Sequence, residues 1–217
     1  MKKDLVEMVF ILDRSGSMKG LEADTIGGFN SLVEKQKQQP GDAVISLVLF
    51  DDQFEVIHHR RVLKALEPLT SKEYYVRGST ALVDAIGRSI RKIRQIHLAL
   101  GQDNIPEKTM FVITTDGQEN ASREFNNLQI KRMVEEFQEK YGWEFLFLGA
   151  NIDSFSIAAD LGILRSRTAN FQANKEGINR HYEAVDETIR RFRNHDVNFM
   201  NSLDEHLGED KPKPKKK

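Results

Sequence analysis

An apolar run at residues 8–18, MVFILDRSGSM, ends on Asp13 and places Ser15 and Ser17 at every second position after it. A second run, MFVITTD, ends the same way on Asp116. Between them, RGSTALVDAI sets Thr80 just ahead of a helical pattern, with Gly78 freeing the loop backbone. Asp13, Ser15, Ser17, Thr80 and Asp116 offer only oxygen donors. Two carboxylates and three neutral hydroxyls in a compact set suit a hard cation, Mg²⁺ or Mn²⁺. Without a cation, two aspartates at one place repel and one pKa rises; a bound cation removes the conflict.

Bringing these side chains together requires strands that end at one edge. LVEMVFIL (5–12), AVISLVLF (43–50), KTMFVITT (108–115) and WEFLFLGA (143–150) are apolar runs fit for buried strands. FEVIHHRRV alternates and carries charge, as an exposed antiparallel edge strand does, and DDQ is the tight connection into it. Asp51 and Asp52 therefore read as turn residues, not ligands. Helical spacing appears at Ile26, Phe29 and Val33, where PGD stops the helix, and at Leu82, Ile86, Ile90 and Ile93 after GST. SREFNNLQIKRMVEEFQEKYG is amphipathic, with Ser122 as its expected cap. SFSIAADLG reads as a short helix closed by Gly162, and TANF as a brief strand. Ile178, Tyr182, Val185, Ile189 and Phe192 form the apolar stripe of a final helix, with a weaker continuation of the pattern through Phe199 and Leu203. The alternation predicts an α/β, Rossmann-like three-layer sandwich: a mainly parallel sheet with one antiparallel edge strand and helices on both faces. The carboxyl ends of parallel strands share one edge, where ligands bind and where Asp13 and Asp116 fall.

DRSGSM resembles the DxSxS signature of the von Willebrand factor A (VWA) domain and its metal-ion-dependent adhesion site (MIDAS). GSTAL resembles that family's threonine loop and TTDGQEN its second aspartate loop, in matching order and spacing. The resemblance implies a VWA domain over residues 4–165; residues 166–207 read, from the TANF strand and the apolar stripe, as an extension of strand and amphipathic helix packed on it. By position it implies that Ser15 and Ser17 ligate the metal directly, Thr80 directly or through water, and Asp13 and Asp116 largely through water. The remaining position is then left for an Asp or Glu of a partner protein. FLGANIDSFSIAADLGI and FQANKEGI resemble stand-alone intracellular VWA proteins of bacteria and phages, some of which belong to tellurite-resistance gene sets. The function implied is a metal-dependent protein-binding module without enzymatic activity.

The neighbours of the five residues carry plainer expectations. Glu119 and Asn120 read as a polar loop preceding a helix, with an outer shell of the site or contact with a partner as the alternative. Arg14 should point away from Asp13 and Ser15 and receives no role. The six histidines show no zinc-ligand spacing on one helix face. A Mg²⁺-dependent phosphatase or nuclease, the alternative, needs a nucleophile or activated water with a placed acid or base. Its aspartate-nucleophile form wants a carboxylate at position 15, which is serine, and Lys19 is the one lysine in the three segments. A purely structural metal site is the third reading. Net charge is −1, with no global basic field for nucleic acid. The chain has no run of the ~20 apolar residues that a spanning helix needs. It has no cysteine, and MKKDLVEMVF does not read as a secretion signal, so a cytoplasmic protein is expected. Residues 208–217, lysine at five of the last seven positions, read as a disordered solvated tail.

Overall fold

Nine of the strand residues leading into the first serine loop, Leu5 to Asp13, are buried, and burial on both faces is what organises the molecule. The computed structural model describes residues 1–199 and 201–207; the lysine-rich tail lies outside the described residues. Six strands, β1 (Lys2–Asp13), β2 (Asp42–Phe50), β3 (Phe54–Val62), β4 (Pro106–Thr115), β5 (Glu144–Ala150) and β6 (Thr168–Phe171), form one sheet ordered β3-β2-β1-β4-β5-β6. Every neighbouring pair is parallel except β2–β3. The charged run FEVIHHRRV is thus the antiparallel edge strand the alternation predicts.

Helices α1 (Glu22–Lys37), α5 (Lys175–Arg193) and α6 (Asn201–Leu207) cover one face, and α2 (Leu82–Ala99), α3 (Asn127–Tyr141) and α4 (Ser154–Asp160) cover the other. Central strand β1 alternates between them: Phe10 and Leu12 join one core, Val9 and Ile11 the other. Phe10, Phe29, Phe111 and Phe147 are fully buried, and each such side chain contributes roughly 1.5–3 kcal/mol relative to exposure. The extension past residue 165 is continuous with this architecture, because β6 pairs with β5 and Ile178, Val185 and Ile189 sit in the same core as β1.

Two helix expectations need correction. Ser122 does not cap α3. That helix starts at Asn127, and Asn126 caps it in a reciprocal capping box with Gln129. Ser122 instead accepts the Asp84 N–H and donates to Glu119, so residues 117–126 form a loop pinned to the start of α2. The final helix does not run on through Phe199 and Leu203. It stops at Arg193, the chain turns through His195 at φ 59°, and α6 folds back along α5. Ser202 then meets Thr188 at 2.5 Å, and Phe199 packs on Phe192. Among the described residues no helix is long and apolar enough to cross a membrane.

Candidate metal centre

Pairing aligns Leu12 of β1 with Leu49 of β2 and with Thr114 of β4. The three strands therefore end together: Asp13, the last residue of β1, and Asp51 and Asp116, the first residues beyond β2 and β4, lie along one edge. Beyond Asp13 the chain leaves the sheet in a short helical turn at residues 16–18. That turn aims both serine hydroxyls back toward the β4 end. Ser15 and Ser17 Oγ lie 3.1 Å apart, and Ser17 donates to Asp116 Oδ1 at 2.6 Å. Thr80 arrives from the other side, on the loop before α2.

Gly117 measures how closely the hydroxyls converge. A Cβ on it would lie 2.7 Å from Thr80 Oγ1, 3.1 Å from Ser17 Oγ and 3.5 Å from Ser15 Oγ. All five residues singled out in the sequence thus meet at one place. Asp13, Ser15, Thr80 and Asp116 are buried, and Ser17 faces solvent. Both Asp13 oxygens are engaged: Oδ1 accepts the Ser15 N–H at 2.7 Å, and Oδ2 accepts the Thr115 hydroxyl at 2.6 Å. Asp116 has one oxygen taken by Ser17.

Charge at this edge is uncomfortable without a cation. Burial raises the Asp13 carboxyl to about 6, against the partial relief of its hydrogen bonds from Thr115 and Ser15, and the nearby Asp116 charge adds to the rise. Burial also raises Asp116. Hard oxygen donors, two of them carboxylates whose ionisation is opposed, are the donor chemistry of a divalent hard-cation site. The residues present fit such an ion.

The loops that hold the five residues are cross-braced. Asn120 accepts the Thr80 N–H at 2.9 Å, and Thr80 returns its carbonyl to the N–H groups of Asn120 and Ala121. Asn120 thus braces the loop that carries Thr80 through its backbone. Glu119 faces elsewhere: it accepts the N–H groups of Val83, Ala121 and Ser122. Its charge sits at the positive end of α2, which favours it. Tyr74, unremarked in the sequence, is buried and donates from its hydroxyl to the Asp13 carbonyl at 2.6 Å.

Arg14 does point away from Asp13 and Ser15, as expected, but the absence of a role is overturned. Its guanidinium is fully buried and bonds to Asp51 at 3.0 Å, Glu55 at 2.5 Å and the Glu73 carbonyl at 3.2 Å. Asp51 keeps its turn function, accepting the Gln53 N–H at 2.6 Å, and also receives Arg77 at 2.6 Å. A signal for this was present in principle, since Arg14 follows a buried strand directly. Its partners lie 37 and 41 residues away, too far for any local pattern to reveal.

No protein-family model matches the sequence, and no curated protein sequence matches it. Solved structures do. Proximal thread matrix protein 1 from the mussel byssus, in a form with a zinc-occupied MIDAS motif, superposes with TM-score 0.58 at 13% identity, over 85% of this chain and 46% of that one. The ArnB paralog VWA2 from Sulfolobus acidocaldarius gives 0.56 at 18%, over 87% and 45%. Manganese-loaded TRAP protein from Plasmodium vivax gives 0.54 at 11%, over 81% and 72%. The chain spans less than half the length of the mussel and Sulfolobus proteins. At these identities the likeness is one of fold, and the fold is the von Willebrand factor A type.

Proposed function

We propose that this chain is a metal-dependent protein-binding module, in which Asp13, Ser15, Ser17, Thr80 and Asp116 hold a divalent cation, Mg²⁺ or Mn²⁺, that captures an Asp or Glu of a partner protein. The observation that carries the reading is the convergence of three hydroxyls on Gly117 beside two carboxylates of opposed ionisation. Ser15 and Ser17 are the direct ligands, Thr80 a direct or water-mediated one. Asp13, with both oxygens already hydrogen-bonded, and Asp116 supply charge largely through water. A cation held by neutral hydroxyls, with its two carboxylates at one remove, keeps much of its positive charge. It is therefore a strong acceptor for an incoming carboxylate. The zinc and manganese recorded in the mussel and Plasmodium structures lend the divalent assignment support. A hydrolase is the less favoured reading, because the five side chains include neither a placed general acid nor a second metal's worth of carboxylates.

The test is a titration of the folded protein with Mg²⁺ and Mn²⁺. Each should raise the melting temperature, by an amount equivalent to about 2.7 kcal/mol at 100-fold excess over Kd. Ser15→Ala and Asp116→Ala should abolish the rise while the metal-free proteins remain folded. Calcium should act weakly, because it favours more ligands at longer distances. A metal response unchanged in an Asp13→Ala, Ser17→Ala double variant would remove the site. Hydrolysis of a phosphomonoester or nucleic acid that disappears with Asp13→Ala would restore the enzyme reading.

A further inference from the structure

We infer that Asp51, which no ligand pattern includes, is a positioning residue for Thr80, and that the Arg14–Asp51–Arg77 network sets the affinity of the metal centre. The inference rests on the reading of those five residues as a metal site. It starts from what holds the Thr80 loop. The segment 76–81 contains no regular structure, so its shape depends on its contacts. On one side its backbone is stitched to the serine loop, with Arg77 N–H bonding to the Arg14 carbonyl at 3.0 Å and Gly16 N–H to the Gly78 carbonyl at 3.1 Å. On the other side it is stitched to the β2–β3 turn, where Ala81 N–H bonds to the Asp51 carbonyl at 2.8 Å.

The Asp51 carboxylate joins both sets. Its Oδ2 receives Arg14 Nε from the serine loop and Arg77 Nε from the Thr80 loop, and its Oδ1 receives the Gln53 N–H. Unlike Asp13, whose partners are neutral donors, Asp51 has its charge committed to two guanidiniums and is not read as a ligand. It is instead the point at which two ligand-bearing loops are fixed to each other. Burial pushes its carboxyl up, but the bonds from Arg77, Gln53 and Arg14 outweigh that and hold it below its ordinary value. Gly78 completes the fit. It takes φ 66°, and a Cβ there would lie 2.2 Å from Asp52 Oδ1, so the loop lies flat against the same turn.

The network is formally neutral, two guanidiniums against the carboxylates of Asp51 and Glu55. Its effect on the cation is therefore geometric: it holds the Thr80 hydroxyl where Ser15 and Ser17 can share a ligand sphere with it. Groups that orient metal ligands commonly change affinity 10–100-fold when lost.

The experiment uses the full chain and Mn²⁺ alone, with affinity measured well below the melting temperature of each variant. Asp51→Asn should weaken Mn²⁺ binding at least tenfold and speed hydrogen exchange at the Thr80 and Ala81 amides. Asp51→Asn removes one of the two carboxylates that face buried Arg14, leaving Glu55, and risks misfolding. Arg77→Met, at a partly exposed position, carries the same test, and Arg77→Lys should recover part of the affinity. Glu144→Gln, which breaks an ion pair with Arg167 at the far edge of the sheet, should lower stability with unchanged Mn²⁺ affinity. Binding within twofold of wild type in Asp51→Asn or Arg77→Met would overturn the inference. So would weakened binding with unchanged amide exchange, which would make the effect one of charge. Wild-type protein that fails to bind Mn²⁺ would instead overturn the metal reading, while the exchange measurement would still judge the positioning.

Discussion

A methyl group at position 117 would stand 2.7 Å from the Thr80 hydroxyl and 3.1 Å from that of Ser17. Only the side-chain oxygens would have to give way, so Gly117→Ala should move ligands more than backbone. Metal affinity should fall at least tenfold, with a change in metal-free stability within about 1 kcal/mol; calorimetric titration and thermal melts separate the two. Asp13 sets the pH dependence of the same site. Its carboxyl is raised to about 6 by burial, and a cation needs it ionised. The rise in melting temperature on adding Mg²⁺ should therefore be full above pH 6 and fade as the pH drops below it. A Mg²⁺ response constant from pH 7 to pH 4.5 would contradict the burial of Asp13.

At the scale of elements, α5 crosses α1 where Gly28 leaves room for the Tyr182 ring, and a Cβ at Gly28 would meet that ring at 2.1 Å. Gly28→Ala should cost roughly 1–3 kcal/mol through overpacking, although alanine favours a helix interior. Tyr182→Phe removes a buried hydroxyl that has no hydrogen-bond partner among the described residues and should be neutral or stabilising in urea melts. Much of this element level was legible in the sequence. The apolar runs became strands because both faces of the sheet are covered, so burial, the thing the pattern reports, was also the thing that decided. The five proposed ligands were legible for a related reason: each sits next to a strand or helix end that the pattern locates. What escaped was fixed by contacts distant in sequence. Arg14 and Asp51 look like loop residues until the β2–β3 turn is folded against the serine loop. The break after Arg193 falls on His195 at φ 59°, with neither Gly nor Pro to announce it, and residues 117–126 are held by the Asp84 and Glu119 carboxylates instead of by a helix.

Across the whole molecule, two buried groups pull acid stability in opposite directions. His181 is enclosed beside Phe171 and Tyr182, and burial lowers it to about 3 from 6.5. The unfolded chain protonates this histidine below pH 6.5 and the folded one does not, so stability is lost as pH falls through 6.5 toward 3. Asp13 has the reverse sign. In the metal-free protein the folded state keeps a proton that the unfolded state has released, so stability is gained as pH falls from about 6 toward 3.8. Each contributes a slope of about 1.4 kcal/mol per pH unit. Between pH 6 and 4 the two offset one another in metal-free protein. His181→Gln should uncover the Asp13 slope, giving a variant whose stability relative to wild type improves as the pH falls; parallel pH profiles for the two proteins would refute the assignment. The same architecture fixes how metal acts in time. The bonds that close the site join residues 99 and 102 positions apart, across strands that must already be paired in parallel. Closing such long loops is entropically costly until the strands have paired, and we expect the site to close after the rate-limiting step. Mg²⁺ should accordingly leave the refolding rate in a stopped-flow chevron unchanged and slow unfolding by up to about 100-fold at 100-fold excess over Kd. The cation would then act as a lock on a finished fold, with residence time in the folded state, more than speed of reaching it, rising with the metal supply.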